Sequence, residues 1–223
     1  MTDPKKIVER GYDAMSARFD VWRQGIEGSP ELEWAEDLLV RLRDDPDLLE
    51  LGSGGARGPT RMLAKAGRLT GVDISIEQVK AAEKRCPEAS FLHADMTEIE
   101  LEPESFDAVV SFYVFNHVPR RDLPTLVERS ASWLRPGGYL LASFGRSGSE
   151  GIQDDWLGVP MFFASYSEAE TLDFVRRAGL TIERDEVVPI FEPDEGEGSF
   201  LWVLARKPPS CGGGLRSRRE GAD

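Results

Sequence analysis

The chain has few cysteines and no long apolar run, and each shortage excludes a class of protein. Its 223 residues include 2 cysteines, Cys86 in a helical pattern and Cys211 in a glycine-rich tail, which are too few for a disulfide scaffold. No window approaches the 18 or more apolar residues of a membrane span, and the first residues are charged where a signal peptide has its apolar centre. We therefore expect a cytoplasmic protein that does not bind a membrane.

Basic residues and histidines are also scarce. The chain has 27 lysines and arginines against 40 acidic residues, which gives a net charge of −13. Binding to nucleic acid or to an anionic membrane surface needs clustered basic side chains that neutralise phosphate, so we expect neither partner. The 2 histidines are His93 and His117, and no histidine or cysteine cluster has the spacing of metal ligands. The sequence therefore implies no metal.

Short apolar runs alternate with helical stretches through most of the chain. Nearly continuous apolar strands separated by helices indicate a parallel sheet that is covered on both faces. After a helix at about 167–178, two strand patterns are joined by the acidic turn "EPDEGEG" without a helix between them, so we expect an antiparallel last strand. The predicted strands lie at 47–51, 68–73, 89–95, 106–115, 138–144, 180–191 and 199–207.

Two helices precede the first strand. Residues 4–22 have the pattern of an amphipathic helix, and a second helix follows with Ser29 as its expected N-cap and Pro30 at its first position. We divide the chain into an N-terminal helical cap or lid over 1–45, a core domain over 46–207 and a disordered tail over 208–223. The core includes a long connection at about 145–166 whose aromatic content suggests a substrate loop.

The glycine-rich stretch "LLELGSGGARG" at 48–58 follows the first strand. The dinucleotide fingerprint G-x-G-x-x-G fits Gly52 and Gly54 but fails at Arg57. A loop of the type E-x-G-x-G instead leaves room for an amino-acid end and a ribose, and Glu50 can accept hydrogen bonds from a cationic or hydroxylated ligand. This pattern disfavours NAD and favours S-adenosylmethionine (SAM), with a plain strand-to-helix turn as the alternative.

Two further carboxylates follow the next two strands. Asp73 can accept both hydroxyls of a ribose, and Asp95 can accept from an adenine amino group. Each aspartate alone is more typical of a helix cap or a turn. Together with Glu50 they stand at three successive strand ends, and open α/β sheets bind ligands at that edge, so the three predict a ligand site.

Five segments in order resemble the successive motifs of class I SAM-dependent methyltransferases: "LLELGSGGA", "GVD", "HADM", "FDAVVSFYVFNHVP" and "WLRPGGYLLASF". The resemblance covers about residues 46–144. It implies a three-layer α/β/α Rossmann-like fold, with a seven-stranded, mostly parallel sheet and an antiparallel last strand. It also implies SAM as the cofactor and S-adenosylhomocysteine (SAH) as the product.

The resemblance also assigns cofactor-binding residues. Ala56 stands where the family has its third glycine, and alanine is small enough that we expect binding to survive. We expect nine residues to contact the methionine end, the ribose, the adenine and the adenine ring faces of SAM. They are Glu50, Gly52, Ser53, Gly54, Asp73, Ile74, Asp95, Met96 and Ser111.

His117 is the candidate catalytic base, because a pKa near neutrality suits removal of a proton from a hydroxyl or an amine. The alternative is a histidine that caps the turn before Pro119, while His93 is expected in the core. Aromatic and apolar side chains of the first helix and of the long connection are expected to bind the acceptor, or else to pack on the core. They are Tyr12, Phe19, Trp22, Trp156, Met161, Phe162 and Tyr166.

We predict a SAM-dependent methyltransferase that acts on an oxygen or a nitrogen of a small molecule, of the kind used in secondary metabolism, and that is a monomer or a homodimer. The segment "SFYV" at 111–114 lacks the N/D-P-P-F/Y tetrad of enzymes that methylate base nitrogens. The alternatives are a protein or peptide methyltransferase, which needs an open groove, and a SAM-binding or nucleotide-binding module without turnover. The acidic turn is expected to be solvated, with attraction of a cationic substrate as its alternative.

Overall fold

A computed structural model describes residues 3–193 and 195–210 of the chain. Its central sheet has seven strands in the order β3-β2-β1-β4-β5-β9-β8. Within this sheet only β9 runs against its neighbours β5 and β8. The strands are β1 (Asp47–Leu51), β2 (Arg68–Asp73), β3 (Ser90–His93), β4 (Phe106–Ser111), β5 (Leu134–Phe144), β8 (Thr181–Glu192) and β9 (Gly196–Arg206).

Helices cover both faces of this sheet. They are α1 (Pro4–Arg23), α2 (Glu31–Leu39), α3 (Pro59–Ala66), α4 (Ile76–Arg85), α5 (Leu123–Trp133) and α6 (Glu168–Arg177). On one face Trp34 of α2 packs with Leu48 of β1, and on the other face Leu126 of α5 packs with Leu49. Neighbouring strand residues point to opposite faces, so each central strand contributes to two cores. The predicted three-layer α/β/α fold is confirmed.

The predicted long loop at 145–166 is instead largely a separate antiparallel hairpin, formed by β6 (Glu150–Trp156) and β7 (Val159–Ala164). Its apolar side chains pack against α1 in a core of their own, with Met15 and Met161 almost completely buried. Aromatic and β-branched residues at alternate positions favour pairing into strands. This hairpin and α1 lie together beside the sheet edge at which the parallel strands end.

Other predictions at the level of single elements are corrected. The fourth strand ends at Ser111, because Tyr113 adopts a positive φ of 57° and a 3₁₀ turn follows at Phe115–His117. Pro30 occupies the N-cap position of α2, so Ser29 does not cap that helix; its hydroxyl lies 3.0 Å from the Tyr113 hydroxyl. His93 is exposed rather than packed in the core, because β3 is an edge strand.

The N-terminal segment does not act as one cap. The side chains of α2 belong to the core of the sheet, while α1 contacts the β6–β7 hairpin and α4. Only α1 therefore covers the carboxyl edge of the strands. Most of the tail predicted to be disordered, residues 211–223, lies outside the described residues. Among the described residues, no helix combines the length and the apolar character that crossing a bilayer needs.

Candidate active site

The glycine-rich loop after β1 makes a tight turn at the carboxyl edge of the sheet. Gly52 has a φ of +75°, and a Cβ there would lie 2.4 Å from the Val114 side chain, so only glycine fits. The Gly54 amide donates to Asp73 Oδ2 at 2.8 Å, which ties the loop to the end of β2. Ala56 adopts a φ of +52°, a backbone conformation that glycine reaches without strain.

Glu50 lies near the end of β1 with only 2% of its surface exposed. The Thr60 hydroxyl donates to its Oε1 at 3.0 Å, while Oε2 has no hydrogen-bond partner among the described residues. Burial raises the pKa of Glu50 to about 8, because a charged carboxylate is poorly solvated there. The side chain is therefore mostly protonated at neutral pH, and its free oxygen is suited to a ligand that brings a donor or a positive charge.

Asp73 and Asp95 occupy the ends of the next two strands, as predicted. The Ser75 amide donates to Asp73 Oδ1 at 2.9 Å, and burial raises the pKa of Asp73 to about 6. Burial also opposes ionisation of Asp95, but hydrogen bonds from Lys5 and Thr97 outweigh it and lower that pKa. Lys5, on α1, lies 2.9 Å from Asp95 Oδ2.

These carboxylates and the glycine loop line one cavity of about 100 Å³. Of the nine residues assigned to the cofactor, Ser111 is the one that does not line it. The Ser111 hydroxyl is completely buried and donates to the Leu51 carbonyl oxygen at 3.0 Å, because it points between strands rather than beyond their ends. The structure brings the other eight together around this first cavity: Glu50, Gly52, Ser53, Gly54, Asp73, Ile74, Asp95 and Met96.

Helix α1 closes the first cavity through polar contacts along one of its faces. Asp13 accepts from the Ser75 hydroxyl at 2.6 Å, and Asp20 pairs with Arg57 and Arg85. These partners follow β1 and β2 or lie on α4, so the helix is fixed to the segments that form the cavity. Lys5 adds the contact with Asp95 near the start of the helix.

A second cavity of about 490 Å³ adjoins the first. Its size is within the range of small-molecule sites, roughly 300–1,000 Å³. It lies between α1, the β6–β7 hairpin and the tip of the β8–β9 hairpin. Aromatic rings form much of its wall, namely those of Tyr12, Phe19, Trp22, Tyr113, Trp156, Phe163 and Phe200.

His117 lines both cavities. It lies 2.9 Å from the Tyr12 hydroxyl through Nε2 and 2.9 Å from the Phe162 carbonyl oxygen through Nδ1. Because the carbonyl only accepts, Nδ1 carries the proton and Nε2 accepts from Tyr12. Burial lowers the pKa of His117 to about 4, so the ring is neutral near pH 7 and its unprotonated Nε2 accepts from Tyr12 at the junction of the cavities.

The structure separates the seven residues predicted to bind the acceptor. Tyr12 and Phe19 line both cavities, and Trp22 and Trp156 line the second. The remaining three, Met161, Phe162 and Tyr166, line neither.

Each of these three has a packing role instead. Met161 is completely buried against α1, and the Phe162 side chain is buried while its carbonyl holds His117. The Tyr166 hydroxyl donates to the Arg120 carbonyl oxygen at 2.7 Å.

Sequence analysis did not identify several residues that line the second cavity. Tyr113, Asn116 and Arg23 do so, as does Glu192 from the acidic turn that was expected to be solvated. Their positions next to His117 or on the aromatic first helix were the available signals. No periodic pattern in the sequence indicates that the tip of the β8–β9 hairpin lies next to these residues.

Comparison with known proteins identifies the family of this site. Residues 48–138 match a family model described as a methyltransferase domain, and this range contains all three strand-end carboxylates. The chain contains a methyltransferase domain. The resemblance seen in the sequence is thereby confirmed, and SAM is the cofactor of this family.

One relative is the 27-O-demethylrifamycin SV methyltransferase of Amycolatopsis mediterranei, with 31% identity over 162 residues. The match covers 63% of this chain and 59% of that relative. The chain spans 59% and 52% of the length of two curated relatives that it matches.

Two solved structures share the fold at low identity. The 1,6-didemethyltoxoflavin-N1-methyltransferase of Burkholderia thailandensis, solved with its substrate and SAH, is 20% identical with a TM-score of 0.69. That likeness covers 93% of this chain and 92% of the other. A [4+2]-cyclase has the same TM-score at 16% identity and covers 93% and 98%, so the fold alone does not prove methyl transfer.

The first cavity fits SAM in its chemistry. Glu50 offers an unpaired buried oxygen to a cationic amino-acid end, and Ser53 has a buried hydroxyl without a partner among the described residues. Asp73 and Asp95 add carboxylate acceptors for hydroxyl and amino groups. We therefore expect these four side chains to hold the cofactor.

Proposed function

We propose that this methyltransferase transfers a methyl group from SAM to an oxygen or a nitrogen of a small molecule bound in the second cavity. One observation carries the proposal: a cavity lined by carboxylates and a glycine loop meets a larger aromatic cavity at the neutral His117. The name of one relative, 27-O-demethylrifamycin SV methyltransferase, supports a small-molecule acceptor, and we propose a role in secondary metabolism.

SAM, when bound, supplies a methyl group already activated on a sulfonium. The chain's own residues then have to orient the acceptor, exclude water and remove one proton. As the new bond to carbon forms, the proton on the acceptor atom becomes more acidic, most strongly on oxygen, where a weak base is sufficient. His117 Nε2 can take that proton directly, or through the Tyr12 hydroxyl, which would pass its own proton on to Nε2.

His117 is held for this role by two fixed partners. Its Nδ1–H donates to the Phe162 carbonyl at 2.9 Å, which selects the tautomer with an unprotonated Nε2. The same bond would stabilise the ring once protonated, because both ring nitrogens then donate. Tyr12 lies on α1, the helix that closes the first cavity, so its hydrogen bond to Nε2 links His117 to that helix.

The size of the second cavity, about 490 Å³, and its aromatic wall favour a small acceptor over a peptide. Helix α1 and two hairpins border it. A SAM-binding module without turnover would differ in one measurable respect: it would bind SAM and form no methylated product. Because the shared fold includes a cyclase, product formation must be measured directly.

The test is transfer of a labelled methyl group from SAM to a panel of small phenols, hydroxylated aromatics and amines, after SAH binding has been shown by calorimetry. We expect His117→Gln to lower kcat at least tenfold while SAH affinity changes less than twofold. Tyr12→Phe removes only the hydroxyl at Nε2, and the matched control Tyr166→Phe removes one outside both cavities. Binding of SAH without labelled product from any acceptor would contradict the proposal.

A further inference from the structure

The second cavity has an unbalanced negative charge. Four charged side chains line it: Arg23, Arg146, Glu192 and Glu195. Arg23 is already paired with Glu31, and Arg146 is already paired with Glu168. Within the described part of the chain, no lysine or arginine lies within ion-pair distance of Glu192 or Glu195.

Glu192 is held at the wall of the cavity rather than free in solvent. Its side chain is half-buried, and both burial and the charge of Glu195 raise the pKa of its carboxyl. The turn that follows is fixed to α1, because Trp22 Nε1 donates to the Pro193 carbonyl oxygen at 2.7 Å. Glu195 accepts one neutral hydrogen bond, from Gln153 Nε2 at 3.2 Å.

Asn116 provides an independent sign of the same chemistry. It lies beside His117 and lines the second cavity. Its Oδ1 is buried and has no hydrogen-bond partner within the described residues. A buried acceptor without a donor costs roughly 1–3 kcal/mol, which a ligand that donates would relieve.

The aromatic wall favours the same ligand. Trp22, Trp156 and Phe19 lie close together, with ring centroids 5.4–6.1 Å apart. The faces of such rings attract cations, tryptophan most strongly. An apolar body with an attached cation would therefore meet both the rings and the unpaired carboxylate.

We propose that the acceptor of this methyltransferase carries a protonated amine on an aromatic or apolar body, and that Glu192 recognises that amine in the second cavity. The inference rests on the proposed function, and it names the class of acceptor. The ammonium group offsets the negative charge at Glu192, and an N–H group of the same ligand is available to Asn116. The two arginines, already paired, do not select a carboxylate in its place.

The test compares three probes of similar size, one positively charged, one neutral and one negatively charged, titrated into the SAH-bound protein. The probes are 2-phenylethylamine, 2-phenylethanol and 3-phenylpropanoate. Fluorescence of Trp22 and Trp156, which line the cavity, or calorimetry reports binding. We expect the amine to bind at least tenfold more tightly than the alcohol and the carboxylate, with a preference that weakens as salt is added.

Two variants in the β8–β9 hairpin test whether Glu192 causes the preference for the amine. Glu192→Gln keeps the shape of the side chain and is expected to reduce the preference below threefold. Glu197→Gln, at an exposed position that does not line the cavity, is expected to keep it.

Three results would overturn the inference: equal or tighter binding of the alcohol or the carboxylate, no binding of the amine at millimolar concentration, or an unchanged preference in Glu192→Gln. Each of these is obtained with SAH bound, so the proposed function survives it. Failure of SAH itself to bind would defeat the proposed function, and the inference with it.

Discussion

The buried carboxyl of Glu50 predicts that cofactor binding releases a proton. Burial raises its pKa to about 8, so about nine-tenths of the unliganded molecules carry that proton at pH 7. The amino-acid end of SAM and of SAH carries an α-ammonium, which is mostly charged at pH 7. An opposite charge within about 4–6 Å lowers the pKa of a carboxyl by roughly 1–3 units, so we expect Glu50 to ionise in the complex.

The size of this effect follows from the two pKa values. If the pKa falls by about 2–3 units, to about 5–6 in the complex, about 0.8–0.9 proton leaves per bound ligand at pH 7. The release falls to about 0.5 at pH 8, where about half of the free protein is already ionised. Proton release and affinity are linked, so the affinity for SAH should rise roughly five- to eightfold from pH 6 to pH 7.

Calorimetry in two buffers with different enthalpies of ionisation measures the released protons directly. Glu50→Gln is the matched variant, because it keeps the shape and the accepting oxygen but cannot titrate, and we expect its release to be close to zero. A wild-type binding enthalpy that does not depend on the buffer, with SAH affinity intact, would refute the reasoning. Release that persists in the variant would assign the proton to another group, Asp73 first.

Three further predictions concern neighbouring groups. Asp73→Asn should weaken SAH binding by roughly 1–3 kcal/mol in calorimetry, because a charged acceptor for buried hydroxyls is lost; an unchanged affinity would contradict the ribose assignment. His117 has a folded pKa of about 4 against about 6.5 unfolded, so the protein should lose up to about 3 kcal/mol of stability as pH falls from 6.5 to 4. Denaturant unfolding should show this loss reduced in His117→Gln, and equal slopes would count against the burial argument. Asp20→Asn breaks the pairing with Arg57 and Arg85, so hydrogen exchange of α1 amides should accelerate roughly tenfold; unchanged protection would show that apolar packing alone holds α1.

The cofactor half of the site could be predicted from the sequence because its residues follow consecutive strands. Glu50, Asp73 and Asp95 belong to β1, β2 and the turn after β3, and parallel strands place their carboxyl ends at one edge. A sequence pattern that fixes the strands therefore also brings these side chains together. Ser111 also ends a strand, but it does not line the first cavity because its hydroxyl donates to the Leu51 carbonyl oxygen of the neighbouring strand.

The acceptor half could not be predicted to the same degree. Its residues come from α1, the turn after β4, the β6–β7 hairpin and the tip of the β8–β9 hairpin, and no local pattern states how these segments meet. A stretch rich in glycine, serine and aromatic residues is compatible with a loop or with a hairpin, and the cross-strand packing that decides between them is tertiary. Met161 and Phe162 consequently appeared as pocket residues, although the hairpin buries their side chains.

This difference has a physical consequence for specificity. The residues expected to hold the cofactor lie on the edge of a sheet whose strands are covered on both faces, so a change there disturbs the core as well as the ligand. Trp22 and Trp156 lie on elements that pack beside the sheet, and Glu192 ends the edge strand β8. These three residues can change without altering a central strand. Tyr12 and His117 connect the two halves through one hydrogen bond of 2.9 Å. Acceptor choice can therefore vary independently of the cofactor, provided that this contact at the junction is kept.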